Sequence, residues 1–462
     1  RVRLRDGCFV RDLLHGGQQG GLPILHIPSI KFKVRYCGAS HSRLLMKRIA
    51  LICLVPFNVW ATTPQQMIGG GPASPNVSST STSQIYGNSG GAFDATVERN
   101  TGIQSVPGTW SNMKICLNNP AGSAKSFTFT AQLGARNQDS TITCAISGTT
   151  QTCCEDVTHS STTVAGDLFR IKSVPSGTPT ASTGHTISML FTPTDDNNFI
   201  VSGAQTSQNA GANSYVALAG ATGVRTTVTD TRIPMSLAGT FDLLYAEVAT
   251  APGAGKSWTI TMTTNGSDST ITCAISDTNR TCNDVTHSSA TIRGDQVVWK
   301  VVPSGTPTTS TLSIGMRFTP TNRGEFPIIG NTFNAISNTA SSYTRILGGN
   351  DNGLTENLQT STTTSRSPGL IVKNGTYSVT TAPGASKSYT YTLRRNFADP
   401  TGGPSATISG TATTAQSDGY IVVADGDVLV NRLTPSGTPT AGMFHSCYTG
   451  YFTQPLMTPV FP

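Results

Sequence analysis

The chain contains 462 residues, and only 12% of them are charged, against roughly 25% in ordinary soluble domains. Residues 1–61 hold ten Lys or Arg and two Asp, whereas the rest of the chain holds 21 basic and 22 acidic residues. The formal charge of +7 therefore belongs to the amino-terminal segment. Because the remaining residues carry a net charge of −1 (21 − 22), we expect no nucleic acid as a partner.

The amino-terminal segment has the features of a secretory signal peptide. Met46-Lys47-Arg48 precedes a short apolar run, and Val59 and Ala61 lie at the −3 and −1 positions of a cleavage site. We therefore predict a signal peptide at 46–61 and a secreted or cell-surface location. The apolar run is too short to span a bilayer as a helix, and we expect no membrane span in the mature chain.

The segments on either side of the signal peptide are interpreted from composition. Residues 1–45 lack a periodic pattern, and we interpret them as translation upstream of the true start at Met46, with a genuine extension as the alternative. Residues 62–82 are rich in Gly, Pro, Ser and Thr, which predicts a flexible tether.

Three motifs each occur three times in the remainder. Pro-Ser-Gly-Thr-Pro occurs at 175–179, 303–307 and 435–439, with a Gly-Asp pair nine residues upstream in each case, and Lys-Ser begins at 125, 256 and 387. A period near 130 residues fits a whole small domain. We place the three copies at 83–202, 213–331 and 341–462.

Each copy contains segments in which apolar residues alternate with Thr. Phe127 and Phe129 alternate with Thr128 and Thr130, and the same alternation follows Lys256 and Lys387. A period of two predicts half-buried antiparallel strands. The expected fold class is all-β, with three tandem antiparallel β-sandwiches. A jelly roll is the first expectation and an immunoglobulin-like sandwich the second.

Paired cysteines distinguish the first two copies from the third. Cys144 and Cys153 flank eight residues, as do Cys273 and Cys282, and the aligned residues of the third copy are both Ala. A hairpin with a two-residue turn would bring each pair close enough for a disulfide. We predict disulfides between the members of each pair, in agreement with an oxidising compartment.

Three further cysteines follow residue 61. Cys116 and Cys154 both lie in the first copy and can pair. Cys447 then lacks a partner within the chain, so it either cross-links two chains or is a buried reduced thiol on the last strand.

Several look-alike motifs are better explained by the fold. The P-loop-like segment 252–257 precedes a strand where a helix is required. Arg293-Gly294-Asp295 keeps only Gly-Asp in the other copies, which indicates a turn. His159 and His287 lack further ligands at metal spacing, 195–198 is more typical of a polar turn than of a calcium loop, and we expect no metal, no cofactor and no catalytic residues.

The motifs Pro-Gly-x-x-Lys-Ser, Gly-Asp and Pro-Ser-Gly-Thr-Pro together resemble tandem repeats of poorly characterised secreted bacterial and phage-associated structural proteins, over residues 83–462. The resemblance implies a secreted structural element. We therefore expect a non-enzymatic protein that pairs with copies of itself in an extracellular fibre or surface layer, with the sandwiches arranged as a rod. The alternative is an adhesin that binds surface glycans through loops or Thr faces, and an enzyme ranks third.

Overall fold

A computed structural model describes residues 64–70, 77–85, 101–134, 138–182, 184–195, 197–348, 352–357, 362–363 and 369–453. The expected signal peptide and residues 1–45 lie outside the described residues. Over the described ranges the chain is built from strands, with a single 3₁₀ turn at Val228–Asp230. Within these ranges, no helix has the length and apolar character needed to cross a bilayer.

The first copy forms two sheets. One has the strand order β1-β9-β4-β7 and the other β2-β8-β5-β6, with β3 also paired to β8. The strands are β1 (Gln66–Gly70), β2 (Ser83–Ile85), β3 (Gly102–Ile103), β4 (Gly108–Leu117), β5 (Gly122–Gly134), β6 (Asp139–Gly148), β7 (Cys153–Thr163), β8 (Leu168–Ser176) and β9 (His185–Pro193).

The second copy repeats this arrangement. Its sheets have the orders β12-β10-β19-β14-β17 and β11-β18-β15-β16, with β13 also paired to β18. The strands are β10 (Phe199–Gln205), β11 (Ser214–Val216), β12 (Ala219–Thr222), β13 (Ile233–Pro234), β14 (Gly239–Val248), β15 (Gly253–Thr264), β16 (Ser267–Asp277), β17 (Thr281–Thr291), β18 (Gln296–Ser304) and β19 (Leu312–Pro320).

The third copy differs at one edge, where two short strands replace one long strand. Its sheets have the orders β20-β30-β24-β27, with β28 also paired to β24, and β22-β21-β29-β25-β26, with β23 paired to β29. The strands are β20 (Glu325–Asn331), β21 (Ser342–Thr344), β22 (Asn352–Gly353), β23 (Thr362–Thr363), β24 (Leu370–Val379), β25 (Gly384–Arg395), β26 (Ser405–Gly410), β27 (Thr414–Gln416), β28 (Tyr420–Val423), β29 (Val428–Ser436) and β30 (Phe444–Phe452).

Each copy is a jelly roll. When its eight main strands are numbered along the chain, one sheet has the order 1-8-3-6 and the other 2-7-4-5. Every connection except that between strands 4 and 5 thus passes from one sheet to the other, as in a jelly roll of two Greek keys. The predicted fold class is confirmed in its first form, and the immunoglobulin-like alternative is not adopted.

The first strand of each copy lies earlier in the chain than the sequence predicted. β1 lies inside the expected tether and pairs with β9. β10 crosses the expected boundary at 202 and pairs with β19 of the second copy, while β20 pairs with β30 of the third copy. These corrections follow from burial, because β1, β10 and β20 are buried at every residue. β1 and β20 form the edge of a sheet, and β10 lies beside the edge strand β12.

The alternation of apolar residues and Thr produces the cores. Phe127 and Phe129 are fully buried, as are Trp258 and Ile260 and the Tyr pair of the third copy. Each jelly roll has its own cluster of buried residues. Side chains of alternating residues point to opposite faces of a strand, so these residues fill the space between the sheets while Thr faces outward.

The three jelly rolls pack as a closed ring, which corrects the expected rod. β3 of the first copy contacts β19 of the second, β13 of the second contacts β30 of the third, and β23 of the third contacts β9 of the first. The contacting strands hold equivalent places in each copy, since β3, β13 and β23 pair with β8, β18 and β29. The same head-to-tail contact is therefore made three times, with approximate threefold symmetry.

Candidate functional site

The joint between the first and second copies depends on a close backbone approach. Ser313 donates a hydrogen bond from its Oγ to the carbonyl oxygen of Thr101 at 2.5 Å. A Cβ atom at Gly315 would lie 2.3 Å from the carbonyl oxygen of Ile103. Only glycine fits this position without a displacement of β3 or β19.

Cys447 lies in the equivalent joint between the second and third copies. Its Sγ is 3.2 Å from the Oγ of Ser236, and that Oγ is 3.1 Å from the Oγ1 of Thr449. Cys447 is 0% exposed, and burial, offset in part by its hydrogen bonds to Ser236, raises its pKa to about 11. Of the two alternatives for Cys447, its position agrees with the buried reduced thiol and not with an intermolecular cross-link, because this sulfur is enclosed between two jelly rolls of one chain.

The third joint closes the ring between the last and the first copies. Arg345 donates from its Nη2 to the carbonyl oxygen of His185 at 3.5 Å, and both residues are buried. Burial, and then the charge of Arg345, lower the pKa of His185 well below its usual value. This joint therefore encloses one guanidinium beside a neutral imidazole.

The Gly-Asp turns lie at the rims of these joints. In each copy the Asp accepts a hydrogen bond within the turn, as from the N–H of Ile292 to Asp295 at 2.9 Å. Arg293 precedes the second of these turns and pairs with Asp418 of the third copy, while its Nη2 donates to the carbonyl oxygen of Ser417 at 2.9 Å. The Arg293-Gly294-Asp295 tripeptide thus contributes to the contact between the second and third copies.

The other two rims have a different chemistry. A Cβ at Gly166 would lie 3.8 Å from the ring of Tyr245 in the second copy, and a Cβ at Gly426 would lie 3.5 Å from the Nζ of Lys114 in the first copy. The residues before these glycines are Ala165 and Asp425. The three joints thus have different rims: the Gly-Asp turn lies near a Tyr ring in one, beside an Arg–Asp ion pair in another and near a Lys side chain in the third.

The disulfides of the first copy differ from the sequence prediction. Cys116 is bonded to Cys153 with a Cα–Cα distance of 4.1 Å, and Cys144 is bonded to Cys154 at 5.7 Å. The expected Cys144–Cys153 and Cys116–Cys154 pairs are therefore wrong. In the second copy Cys273 is bonded to Cys282, with a Cα–Cα distance of 5.8 Å.

The segment between the cysteines is not the expected hairpin. Cys144 lies on β6 and Cys154 on β7, which belong to different sheets, so this bond joins the edges of the two sheets. Cys116 and Cys153 lie opposite each other on β4 and β7 of one sheet. The opposite residues in the other copies are Glu247 and Thr281, and Ser378 and Thr414.

A signal for the correct pairing was present in the sequence. Cys144 and Cys273 are 129 residues apart, but the motif Asp-Val-Thr-His begins at Asp156 and at Asp284, only 128 residues later. The first copy therefore has one additional residue between these points. Alignment from the Asp side makes Cys154 the counterpart of Cys282 and leaves Cys153 as the additional cysteine.

Asp156 organises the corner where the two sheets meet. Its carboxylate accepts hydrogen bonds from the N–H groups of Thr143, Thr158 and His159 at 2.9 to 3.1 Å. The Nδ1 of His159 lies 2.9 Å from Oδ2. Burial by itself would raise the pKa of Asp156, but these hydrogen bonds outweigh it and lower the pKa to about 2.

The same arrangement exists in the second copy and is reduced in the third. Asp284 accepts from Thr272, Thr286 and His287, and its pKa is lowered for the same reasons. In the third copy the Oγ of Ser417 accepts from the N–H groups of Ser405 and Gly419. These side chains satisfy N–H groups of edge strands, which limits pairing with other chains.

The remaining sequence motifs have structural roles or stay untested. The P-loop-like segment forms the irregular start of β15, where the N–H of Gly255 donates to Asp277 at 2.8 Å and the register with β16 shifts between Gly253 and Ser257. Hydroxyls of the Thr columns pair across strands, as in Thr130 with Thr143 and Thr390 with Thr407. Among the described residues, no group of three His, Cys, Asp or Glu could hold a metal ion.

The exposed aromatic side chains of the described ranges occur in one copy. Phe397, Tyr420 and Tyr451 are 46%, 60% and 37% exposed, and all three belong to the third jelly roll. A glycan-binding edge repeated in every copy would need such residues in the first and second copies as well. These aromatic residues are not shared among the copies, so the repeat pattern of the sequence gives no signal for them.

Comparisons with known proteins add little to this description. No family model and no curated protein matches the chain. One solved structure that aligns with it, described as "The Triple Jelly Roll Fold and Turret Assembly in an Archaeal Virus", is 11% identical, with 85% of this chain and 90% of that chain covered and a TM-score of 0.18. Another, described as "Life in the extremes: atomic structure of Sulfolobus Turreted Icosahedral Virus", is 13% identical, with 84% and 90% covered and a TM-score of 0.17. At these TM-scores the likeness carries no argument.

Proposed function

We propose that the protein is an exported, non-enzymatic structural subunit that self-assembles into an extracellular layer. The observation that carries this proposal is the closed ring of three jelly rolls. Its joints bury strands of neighbouring copies, so one chain provides a block with three outward faces in fixed directions. Three directions related by approximate threefold rotation suit a layer better than a fibre.

The covalent features of the chain support an extracellular location. Disulfides persist in oxidising environments, and Cys116–Cys153 and Cys144–Cys154 both lie at sheet edges of the first copy. Such bonds protect a domain that has left the cell.

The differences among the joints support the role of a preformed block. A homotrimer uses the same residues in each of its interfaces. This chain instead places Gly315, Cys447 and Ser188 at the equivalent joint positions. Divergence of this kind requires that the three copies always meet in the same order, as they do within one chain.

Electron microscopy and light scattering of the full secreted chain test the proposal. We expect ordered layers or sheet fragments whose formation does not require reductant or oxidant, because Cys447 is buried. Dispersed monomers under all concentrations and ionic strengths would contradict the proposal. A glycan array tests the adhesin alternative, for which the exposed aromatic side chains of the described ranges lie in the third copy.

A further inference from the structure

One row of residues on the outer face of the third jelly roll is apolar where the other copies are polar. Ile371 on β24 lies directly opposite Val422 on β28 and opposite Tyr451 on β30. Tyr420 lies two residues before Val422 on β28, so its side chain points to the same face of the sheet. Together, Tyr420, Val422, Ile371 and Tyr451 are called the third-copy strip.

The equivalent rows show that the fold does not require these residues. The register places Thr109 between Thr162 and Thr192 in the first copy, and Thr240 between Ala290 and Thr319 in the second. Side chains at the end of each row complete its polar character: Gln65 donates to Thr192 at 3.2 Å, and Thr319 donates to Asn198 at 3.0 Å.

The third-copy strip is exposed, and the loop beside it adds a further exposed apolar side chain. Tyr420 and Val422 are 60% and 50% exposed. The loop 396–404 follows β25 in the third copy, where the second copy has only the two residues Asn265 and Gly266, and it carries the exposed Phe397. It is attached beside β28 through hydrogen bonds from Arg395 to the carbonyl oxygen of Val422 and from the N–H of Tyr420 to Gly402.

The free backbone edge of β28 is partly occupied by these same contacts. A partner therefore gains more from the side chains of the strip than from strand addition along the edge. The strip also continues an interface that already exists, since Tyr451 follows Cys447 and Thr449 on the same face of β30, and both contact Ser236 of the second copy.

We propose that the third-copy strip is a contact surface for a second copy of this chain. The inference rests on the proposed function and names the face through which that assembly forms. Apolar strips are self-complementary across a twofold axis, and the strip is bordered by one cation and one anion, Lys373 and Glu325, whose Nζ and Oε1 are 2.7 Å apart. This pair is complete within one chain, since the side chain of Glu325 is only 9% exposed, so the strip presents no uncompensated charge that would repel a second copy.

The size of the strip defines the kind of contact. Four partly exposed side chains cover less than the roughly 800 Å² per partner that a stable dimer buries. The contact is therefore weak between two isolated chains. One strip per chain joins chains in pairs across the twofold axis, so a layer also needs contacts on the other faces of the ring, and these raise the effective concentration at which strips meet. This property is suited to a layer that forms only above a threshold concentration.

The sister copies supply the test variant. Tyr420→Ser, Val422→Thr and Ile371→Thr introduce residues that the first copy carries at the same places, so the triple variant is expected to keep the fold. Its unfolding midpoint is measured first. Thr109→Ser in the first copy is the matched control on the equivalent row.

Sedimentation equilibrium and electron microscopy then compare the wild-type chain, the triple variant and the control. We expect the dissociation constant of self-association to rise about tenfold or more in the triple variant, a difference of about 1.4 kcal/mol, with loss of layers. The control behaves as the wild-type chain.

A second measurement locates the contact directly. Tyr420→Cys is expected to form a disulfide between two chains under mild oxidation, because the strips face each other. The strip is ruled out as the contact surface if the triple variant assembles at the wild-type concentration. It is also ruled out if Tyr420→Cys forms no cross-link while layers form. Either result leaves the proposed function intact. Absence of any assembly by the wild-type chain overturns both.

Discussion

Cys447 of the third jelly roll and Ser236 of the second lie 3.2 Å apart from Sγ to Oγ, at the joint between two domains of one chain. The counterpart of Cys447 in the second copy is Gly315, which leaves room for a close approach of the backbone of Ile103. One position on the last strand of each copy thus meets a different neighbour at each joint. The three copies share a fold but have distinct interfaces.

The native protein is expected to resist thiol reagents at Cys447. Burial raises the pKa of this thiol to about 11, so almost no thiolate forms at pH 8, and the sulfur is inaccessible. Labelling with a chromogenic disulfide should detect no thiol at position 447 in the folded chain and one after denaturation. Rapid labelling before unfolding would contradict the buried position.

Removal of the two disulfides of the first copy is expected to cost different amounts of stability. Cys116–Cys153 spans 37 residues and Cys144–Cys154 spans 10. The chain-entropy model gives about 4 kcal/mol for the first and about 3 kcal/mol for the second. Chemical unfolding of the two double Ser variants measures the difference. Tandem mass spectrometry of the intact protein checks the pairing, and a Cys144–Cys153 peptide would contradict it.

Asp156→Asn is expected to lower the free energy of unfolding by roughly 2 kcal/mol at pH 7. The pKa of Asp156 is depressed to about 2 in the folded state, below the unfolded value of about 3.9. The stabilisation is therefore present above pH 4 and is lost as the pH falls from about 4 to 2. Unfolding curves of variant and wild type should differ at pH 7 and lie closer together at pH 3, because the stabilisation is lost as the pH falls toward 2. Asp268→Asn, at an exposed carboxylate, is the control and should cost less than about 1 kcal/mol.

Gly315→Ala is expected to weaken the joint between the first and second copies. The added Cβ would lie 2.3 Å from the carbonyl oxygen of Ile103, and overpacking of this kind costs about 1 to 3 kcal/mol. Gly223→Ala has no atom within 4 Å of the new Cβ and should be neutral. The difference in unfolding midpoint between the two variants measures the effect, and equal midpoints would contradict the close approach.

The ion pair between Arg293 and Asp418 is expected to contribute more to the order in which the copies pack than to the free energy of unfolding. The side chain of Asp418 is 85% exposed, and exposed ion pairs contribute about 0.2 to 1 kcal/mol. Arg293→Asp should destabilise through repulsion, and the double variant with Asp418→Arg should recover most of the loss. A double-mutant cycle from denaturant unfolding gives the coupling. Additive effects would show that the pair does not interact.

The sequence indicated much of the fold because its alternation of apolar residues with Thr is local. Phe127 and Phe129 face the core and Thr128 faces out for the same reason at every such strand, so all-β sandwiches could be predicted residue by residue. Strand β10 could not be assigned, since Phe199 and Val201 alternate with residues that are also buried. Its partner, β19, begins more than 100 residues later.

Part of the disulfide arrangement could also be predicted from the sequence, because it depends on residues that are close together in the chain. The paired loss of Cys in the third copy predicted a bond near Cys282, and the structure has it. The pairing in the first copy depended on one additional residue before Asp156, which changed the register of β7, and on the position of Cys116 across the sheet. The spacing of the Asp-Val-Thr-His motif shows the additional residue, but only the folded structure places Cys116 opposite Cys153.

The sequence by itself determined the threefold repeat, the strand-forming pattern and the turns that keep Gly-Asp and Pro-Ser-Gly-Thr-Pro in every copy, since these depend on local backbone geometry and on the burial of alternating side chains. The tertiary structure decided the ring, the sheet-to-sheet disulfides, the enclosure of Cys447 and the apolar strip around Tyr420. These depend on which surfaces meet after folding, and contacts between residues more than 100 positions apart leave no periodic signal in the chain.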